Sequence, residues 1–372
     1  MRVIVAGGGY AGLATLIALR HGLPEVELHL IEPRERHIKL THLHRTLRRP
    51  LSDFCTPFAA LAKKYEFTHH RFALPISDDN LEAWEWNRAI PLPEAKELAF
   101  DYLVIATGAK PRFAPAGKQV YQQEDFCRRE GQEIIQDFLT RTENKARCIS
   151  VVGAGATGLQ FLFELDDLLK NRRLDCQLRL IQRGGQILSK LPGSFHDYIA
   201  GRLQSAGIEH LPYTRYRGQH GGNIELENTQ NGEFFTLPSD LTLLFAGVYP
   251  HPQPLRADRY GRLIVGHYPL PHIFTAGDCS NFDCNGLNSL TAQAAIRKGK
   301  QVATNIKRLQ QGRLPYIYTY DELGYFVSLG PLDGIGWMLF RYNIITGLPA
   351  FAIKEAIEAQ YDWFVDGVDL YF

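Results

Sequence analysis

The chain has 372 residues, more than one ordinary domain of roughly 100–200 residues holds, so two or three domains are expected. With 41 Lys and Arg against 40 Asp and Glu, its net charge of +1 gives a polyanion such as nucleic acid no bulk electrostatic hold. Hydrophobic residues at 45% supply a large core, and the 6 dispersed cysteines, with no secretory signal before them, read as free thiols in a reducing, cytoplasmic setting.

The chain opens on a strand pattern, Val3–Ala6, then a glycine turn, Gly7-Gly8-Gly9-Tyr10-Ala11-Gly12. Leu13, Leu16 and Leu19 follow at helical spacing up to Gly22, and Glu27–Ile31 reads as the next strand, ending on Glu32. The same unit recurs in mid-chain: strand Ile149–Val152, turn Gly153-Ala154-Gly155-Ala156-Thr157-Gly158, helix Leu159–Leu169, strand Leu178–Ile181, ending on Gln182-Arg183. Alternation of this kind implies parallel sheets, and two copies amount to a repeat at domain scale. Farther on, Asn223–Pro238 reads as a polar hairpin, Asp240–Ala246 as a strand, and Ile273–Asp278 as a strand ending on an acid. Leu290–Leu309 has the period of a long helix, Tyr316–Leu329 is aromatic and strand-like, and Pro349–Phe364 is an amphipathic helix. The most apolar stretch, Gly334–Ile353, carries Arg341 and Asn343 and is broken by Gly347 and Pro349, so no membrane-spanning helix is expected.

The glycine turns carry the chemistry. A helix N-terminus offers unpaired N–H groups and a favourable dipole to a pyrophosphate. Of three spaced glycines, the first permits the tight turn, the second lets the backbone approach the phosphate, and the third lets helix pack on strand. Gly7, Gly9 and Gly12 fit these roles, as do Gly153, Gly155 and Gly158. In the first copy Glu32 stands where an acid accepts hydrogen bonds from ribose hydroxyls. The second copy lacks the acid: Gln182 and Arg183 there would tolerate a 2′-phosphate, so NADPH as well as NADH is expected to be accepted, the bland reading of Arg183 being a solvated surface charge. The bland reading of each turn is an ordinary strand–helix corner.

Taken together, these segments resemble the flavoproteins with two dinucleotide-binding domains, and more closely their type II NADH dehydrogenase and AIF-like branch. The resemblance is carried by Gly7–Gly12 with Glu32, Ala106-Thr107-Gly108, Gly153–Gly158, Ala246-Gly247-Val248-Tyr249-Pro250, Thr275-Ala276-Gly277-Asp278 and Thr291-Ala292-Gln293-Ala294-Ala295. It implies an α/β fold with two Rossmann-like domains in the glutathione-reductase-like arrangement and a small α+β C-terminal domain. Residues 1–110 and 245–312 would bind FAD, 111–244 NAD(P)H, and 313–372 would face the acceptor. FAD would be held by Gly7, Gly9, Tyr10, Ala11, Gly12, Glu32, Thr107, Gly108, Gly247, Gly277 and Asp278. The nicotinamide cofactor would be held by Gly153, Gly155, Gly158, Gln182 and Arg183. Gln160 stands where the family has a Glu near the nicotinamide, Gln293 lines the quinone side, and Lys354 matches a lysine placed close to the flavin.

The activity so implied is an FAD-dependent NAD(P)H dehydrogenase passing electrons to a quinone or similar small-molecule acceptor. Arg297-Lys298 stands where the family has Gln-Gln or Gln-Glu, and as a basic docking patch it would suit a ferredoxin-type carrier instead. Gln160 and that altered segment would also suit an AIF-like redox sensor with slow turnover. Sulfide:quinone oxidoreductases resemble the chain too, but they need a C-terminal cysteine and none follows Cys284. Cys279 and Cys284 read as structural rather than redox-active. The basic run Arg34–Arg49 reads as the loop and helix flanking the FAD adenosine, with no metal-ligand spacing. The final helix suits packing in the core or in a homodimer, with peripheral membrane contact as its other use.

Overall fold

The computed structural model describes residues 1–112, 117–142, 146–250, 254–284 and 288–371. Apolar runs buried on both faces make Arg2–Ala6 and its neighbours central strands of an eight-stranded sheet. Its order is Ser280–Phe282, Leu255–Ala257, Arg262–Val265, Tyr268–Thr275, Tyr102–Ile105, Arg2–Ala6, Glu27–Ile31, Phe67–His70. The strands from Tyr268–Thr275 to Phe67–His70 are parallel, in register at Ala6↔Ile31 and Ala6↔Ile105. A five-stranded parallel sheet repeats the plan around Cys148–Val152, which lies between Leu241–Leu244 and Gln177–Ile181.

In both sheets the chain leaves the central strand, crosses a helix to one side, and later returns on the other. The C-terminal end of such a strand is a topological switch point, where open α/β sheets bind ligands. The two sheets are joined where Ala109–Pro111 pairs antiparallel with Val248–Pro250. The polar hairpin expected at Asn223–Pro238 is part of a three-stranded antiparallel sheet that begins at Thr214.

The C-terminal part is a second small antiparallel sheet, Gly324–Ser328, Gly334–Met338 and Ile344–Thr346, followed by the helix Gly347–Val365. Only Gly324–Ser328 of the strand-like stretch 316–329 is strand; before it the chain runs back along the long helix Ala292–Gln310 without a pairing edge, held by Asn305. No helix of the described residues is long and apolar enough to cross a membrane.

The first helix, Tyr10–Gly22, packs closely on the long helix. A Cβ at Gly299 would sit 2.3 Å from the Ala11 carbonyl oxygen, and the Thr15 hydroxyl donates to the Ala11 carbonyl at 2.9 Å beside it. Gly299→Ala is expected to destabilise the protein by about 1–3 kcal/mol, because backbone cannot yield as a side-chain tip does. Guanidinium denaturation read by tyrosine and tryptophan fluorescence would register this as a lower midpoint.

Candidate functional site

The two glycine turns are copies in geometry as well as sequence. Gly7 N–H donates to the Ile31 carbonyl at 2.8 Å, and Gly153 N–H to the Ile181 carbonyl at 2.8 Å. Both first glycines hold φ +112°, where an added Cβ would meet the Ala106 oxygen at 2.2 Å or the Phe245 oxygen at 2.1 Å. Both third glycines lie against the first, with an added Cβ 1.8 Å from the Gly7 oxygen or 1.9 Å from the Gly153 oxygen. Both middle glycines, Gly9 and Gly155, have nothing within 4 Å of that position. Each turn is thus crowded where helix meets strand and open where a phosphate would approach, and each of the helices Tyr10–Gly22 and Ala156–Asn171 begins at the open side. A dinucleotide fits both.

Around the first turn Glu32 is 4% exposed; it accepts from Gly8 N–H at 2.7 Å and pairs with Arg34 through Nε at 2.8 Å. Burial opposes its charge, but Arg34 and the Gly8 amide outweigh that and hold the carboxyl below its usual range. Tyr10 packs on Tyr361 of the C-terminal helix at 4.7 Å. The Tyr361 hydroxyl is 2.9 Å from His37 Nε2, and His37 Nδ1 is 3.0 Å from the Gly8 carbonyl oxygen. Burial pushes His37 down to about 4, so a neutral ring can donate from Nδ1 and accept from Tyr361. The phosphate-facing turn is therefore wired to the last helix.

Gly277 (φ +79°) brings the exit of Tyr268–Thr275 against Ala11, which sets Asp278 beside the start of the first helix. Burial lifts the Asp278 carboxyl to about 6, with the Lys298 ammonium pulling it lower. Gly108 (φ +77°) lies just beyond the neighbouring strand Tyr102–Ile105, and Gly247 (φ +92°) just beyond Leu241–Leu244 of the five-stranded sheet; Thr107 precedes the first of these.

Around the second turn Gln182 is 5% exposed, and its Nε2 donates to the Gly184 carbonyl at 2.8 Å. Its Oε1 is buried without a hydrogen-bond partner among the described residues, an acceptor available to a ribose hydroxyl. Arg183 is exposed beside it. Gln160, on the helix after the turn, donates to Ser328 Oγ at 3.1 Å, and Ser328 Oγ stands 3.5 Å from His44 Nε2. This short chain joins the nucleotide-side helix, the first 3-10 helix (Leu40–Leu47) and the C-terminal sheet. Gln293 lies half-buried in the first turn of the long helix, which Thr291 caps by accepting from Ala294 N–H at 3.2 Å.

Lys354 is not a solvated lysine. It is 7% exposed and ion-paired to Glu358, which also meets His42 at 3.0 Å and Arg45 at 3.2 Å. The acidic side of the last helix therefore turns partly inward. The basic run Arg34–Arg49 is likewise more than a flank for the adenosine. Arg45 and Lys39 clamp the last helix through Glu355, Glu358 and Asp362, and Arg48 pairs with Glu164 and Asp167 of the helix after the second turn. Lys298 corrects another expectation. It is 1% exposed and donates to the Ser280 carbonyl at 2.9 Å, Ser280 Oγ at 3.1 Å and Asn288 Oδ1 at 2.9 Å. A buried, saturated ammonium cannot be half of a docking patch. Cys279 is buried, its thiol donating to the Ala276 carbonyl at 3.3 Å, and it is not bonded to Cys284.

Sequence reasoning missed Arg34 as partner of Glu32, the His37–Tyr361 link and the Ser328–His44 pair. The last two join residues far apart in the chain, and no local pattern marks them, whereas Arg34 stands only two residues from Glu32 and its opposite charge was the available signal.

Comparison with known proteins agrees with this geometry. The family model described as pyridine nucleotide-disulphide oxidoreductase matches residues 1–299. Type II NADH:quinone oxidoreductase of Staphylococcus aureus is 28% identical over 404 residues, covering 100% of this chain and 97% of the relative. Sulfide:quinone oxidoreductase from Aquifex aeolicus shares the fold at TM-score 0.80 and 18% identity, covering 99% of this chain and 92% of that one. NDH2 from Plasmodium falciparum in complex with NADH does so at TM-score 0.80 and 14% identity, covering 97% and 94%.

Proposed function

The chain belongs to the pyridine nucleotide-disulphide oxidoreductase family, and from that premise we propose that it is an FAD-containing dehydrogenase that oxidises NADH and reduces a quinone. The observation that carries this reading is the pair of glycine turns with matching φ, close approaches and hydrogen bonds, two dinucleotide cradles in one chain. The full-length likeness to type II NADH:quinone oxidoreductase supports the choice of reaction. NADH, a proton and a quinone go to NAD⁺ and quinol. FAD, when bound, supplies the two-electron carrier between the two substrates.

The chain's own residues position these groups. We assign residues 1–110 and 245–312 to FAD, 111–244 to NADH, and 313–372 to the acceptor side. Gly7, Gly9, Tyr10, Ala11 and Gly12 face the FAD pyrophosphate, Glu32 its adenosine ribose, Thr107, Gly108 and Gly247 its middle, and Gly277 with Asp278 its ribityl chain. Gly153, Gly155 and Gly158 face the NADH pyrophosphate, and Gln182 accepts from its ribose with Arg183 at the rim. Gln160 would orient the nicotinamide without adding charge, and Lys354 would place a cation, balanced by Glu358, close to the flavin. Gln293 lines the acceptor side.

Quinones partition into lipid. The exposed hairpin tip Leu339, Phe340 and Tyr342, at 64%, 58% and 82% exposure, supports peripheral contact with a membrane surface. The carrier-protein alternative is left without the basic patch that motivated it.

The test is direct. The purified protein should be yellow, should bleach on anaerobic addition of NADH, and should regain its colour on addition of a short-chain quinone. A colourless protein, or a yellow one indifferent to NADH, sinks the reading.

A further inference from the structure

Arg297 lies one helical turn beyond Gln293 on the long helix Ala292–Gln310. Its Nε is buried, and among the described residues nothing accepts a hydrogen bond from it. No described carboxylate forms an ion pair with it. Its guanidinium stands 5.9 Å from the centre of the Tyr320 ring. Tyr318, 2% exposed, stacks on Tyr320 at 6.3 Å, and its hydroxyl also has no hydrogen-bond partner among the described residues. Burial raises the hydroxyls of Tyr318, Tyr320 and Tyr371, and the Arg297 charge draws all three back. One cation therefore faces the Tyr320 ring, with Tyr318 stacked behind it. The acids near those tyrosines are engaged elsewhere: Glu322 with Arg341 and Ser289, Asp362 with Lys39, and Asp369 with Lys300.

A half-buried guanidinium with an unused donor, beside a buried hydroxyl with no partner, is unfavourable unless a ligand completes it. The planar fork of arginine matches a carboxylate, sulfonate or phosphate, and tyrosine faces suit a flat ring. We propose that Arg297, with Tyr318 and Tyr320, binds an anionic group on the electron acceptor, so that the preferred oxidant is a quinone bearing a negative charge. This rests on the reading that the acceptor binds beside Gln293.

The experiment compares naphthoquinone with naphthoquinone sulfonate as acceptors for the flavin-loaded protein. The ratio of kcat/KM, sulfonate over neutral, should fall about thirtyfold in R297Q, the loss expected of one charge-assisted contact, and R297K should retain most of it. Calorimetric binding of naphthoquinone sulfonate to the oxidised protein, with NADH omitted, should weaken by about the same factor in R297Q. Flavin content and the unfolding midpoint report whether each variant is folded. A ratio and an affinity both within about twofold of the parent in R297Q overturn the proposal. If NADH never reduces the flavin, the functional reading fails, and the calorimetry still decides the fate of Arg297.

Discussion

Gly12→Ala is expected to give a colourless protein, whereas Gly158→Ala stays yellow and no longer bleaches at ordinary NADH concentrations. The added methyl would lie 1.8 Å from the Gly7 oxygen in one variant and 1.9 Å from the Gly153 oxygen in the other. Backbone on both sides leaves no flexible side chain to absorb the overlap, so helix and strand must part and the turn must open. Overpacking of this kind costs about 3 kcal/mol or more, and each turn holds its pyrophosphate through the geometry that would be lost. Binding of the respective dinucleotide should weaken by at least about 100-fold, read as flavin content for Gly12→Ala and as KM for NADH with Gly158→Ala. The two variants damage one geometry at two places. Opposite outcomes, with Gly158→Ala losing the flavin, would reverse the assignment of the turns.

The second large effect is at Glu358. This carboxylate meets Lys354, His42 and Arg45 at 9% exposure, and these partners, outweighing burial, hold it down at about 2. Glu358→Gln keeps the shape and removes the charge, which strands the Lys354 ammonium in the interior. The expected loss is about 3–5 kcal/mol at neutral pH by urea or guanidinium unfolding.

The pH dependence has a definite sign. A carboxyl depressed in the folded state stabilises fully above its unfolded value of 4.5 and loses that contribution as pH falls toward about 2. The stability gap between parent and Glu358→Gln should therefore be flat above about pH 5 and shrink, on the order of 3 kcal/mol, between about pH 5 and pH 2. A gap independent of pH across that window would mean that the charge of Glu358 contributes nothing and that only its shape matters.

The sequence by itself determined the repeated strand–turn–helix–strand unit, because each of its signals is local. Glycines at fixed offsets, an apolar run of four and leucines at helical spacing need no distant partner to be read. Glu27–Ile31 emerges with the boundaries expected of it. The duplication makes two dinucleotide cradles legible in the sequence alone.

What only the tertiary structure decided is the environment of each charge. Arg297 and Lys298 are adjacent on one helix, yet a 100° step per residue sends Lys298 into a saturated buried cage and leaves Arg297 among tyrosines. Lys354 and Glu355 divide in the same way, one buried on Glu358 and the other at the rim with Arg45. A residue's period along the chain says which face of a helix it occupies. Whether that face meets water, a carboxylate or an aromatic ring depends on elements hundreds of residues away, such as His37 reaching Tyr361, and burial then sets the ionisation of each group.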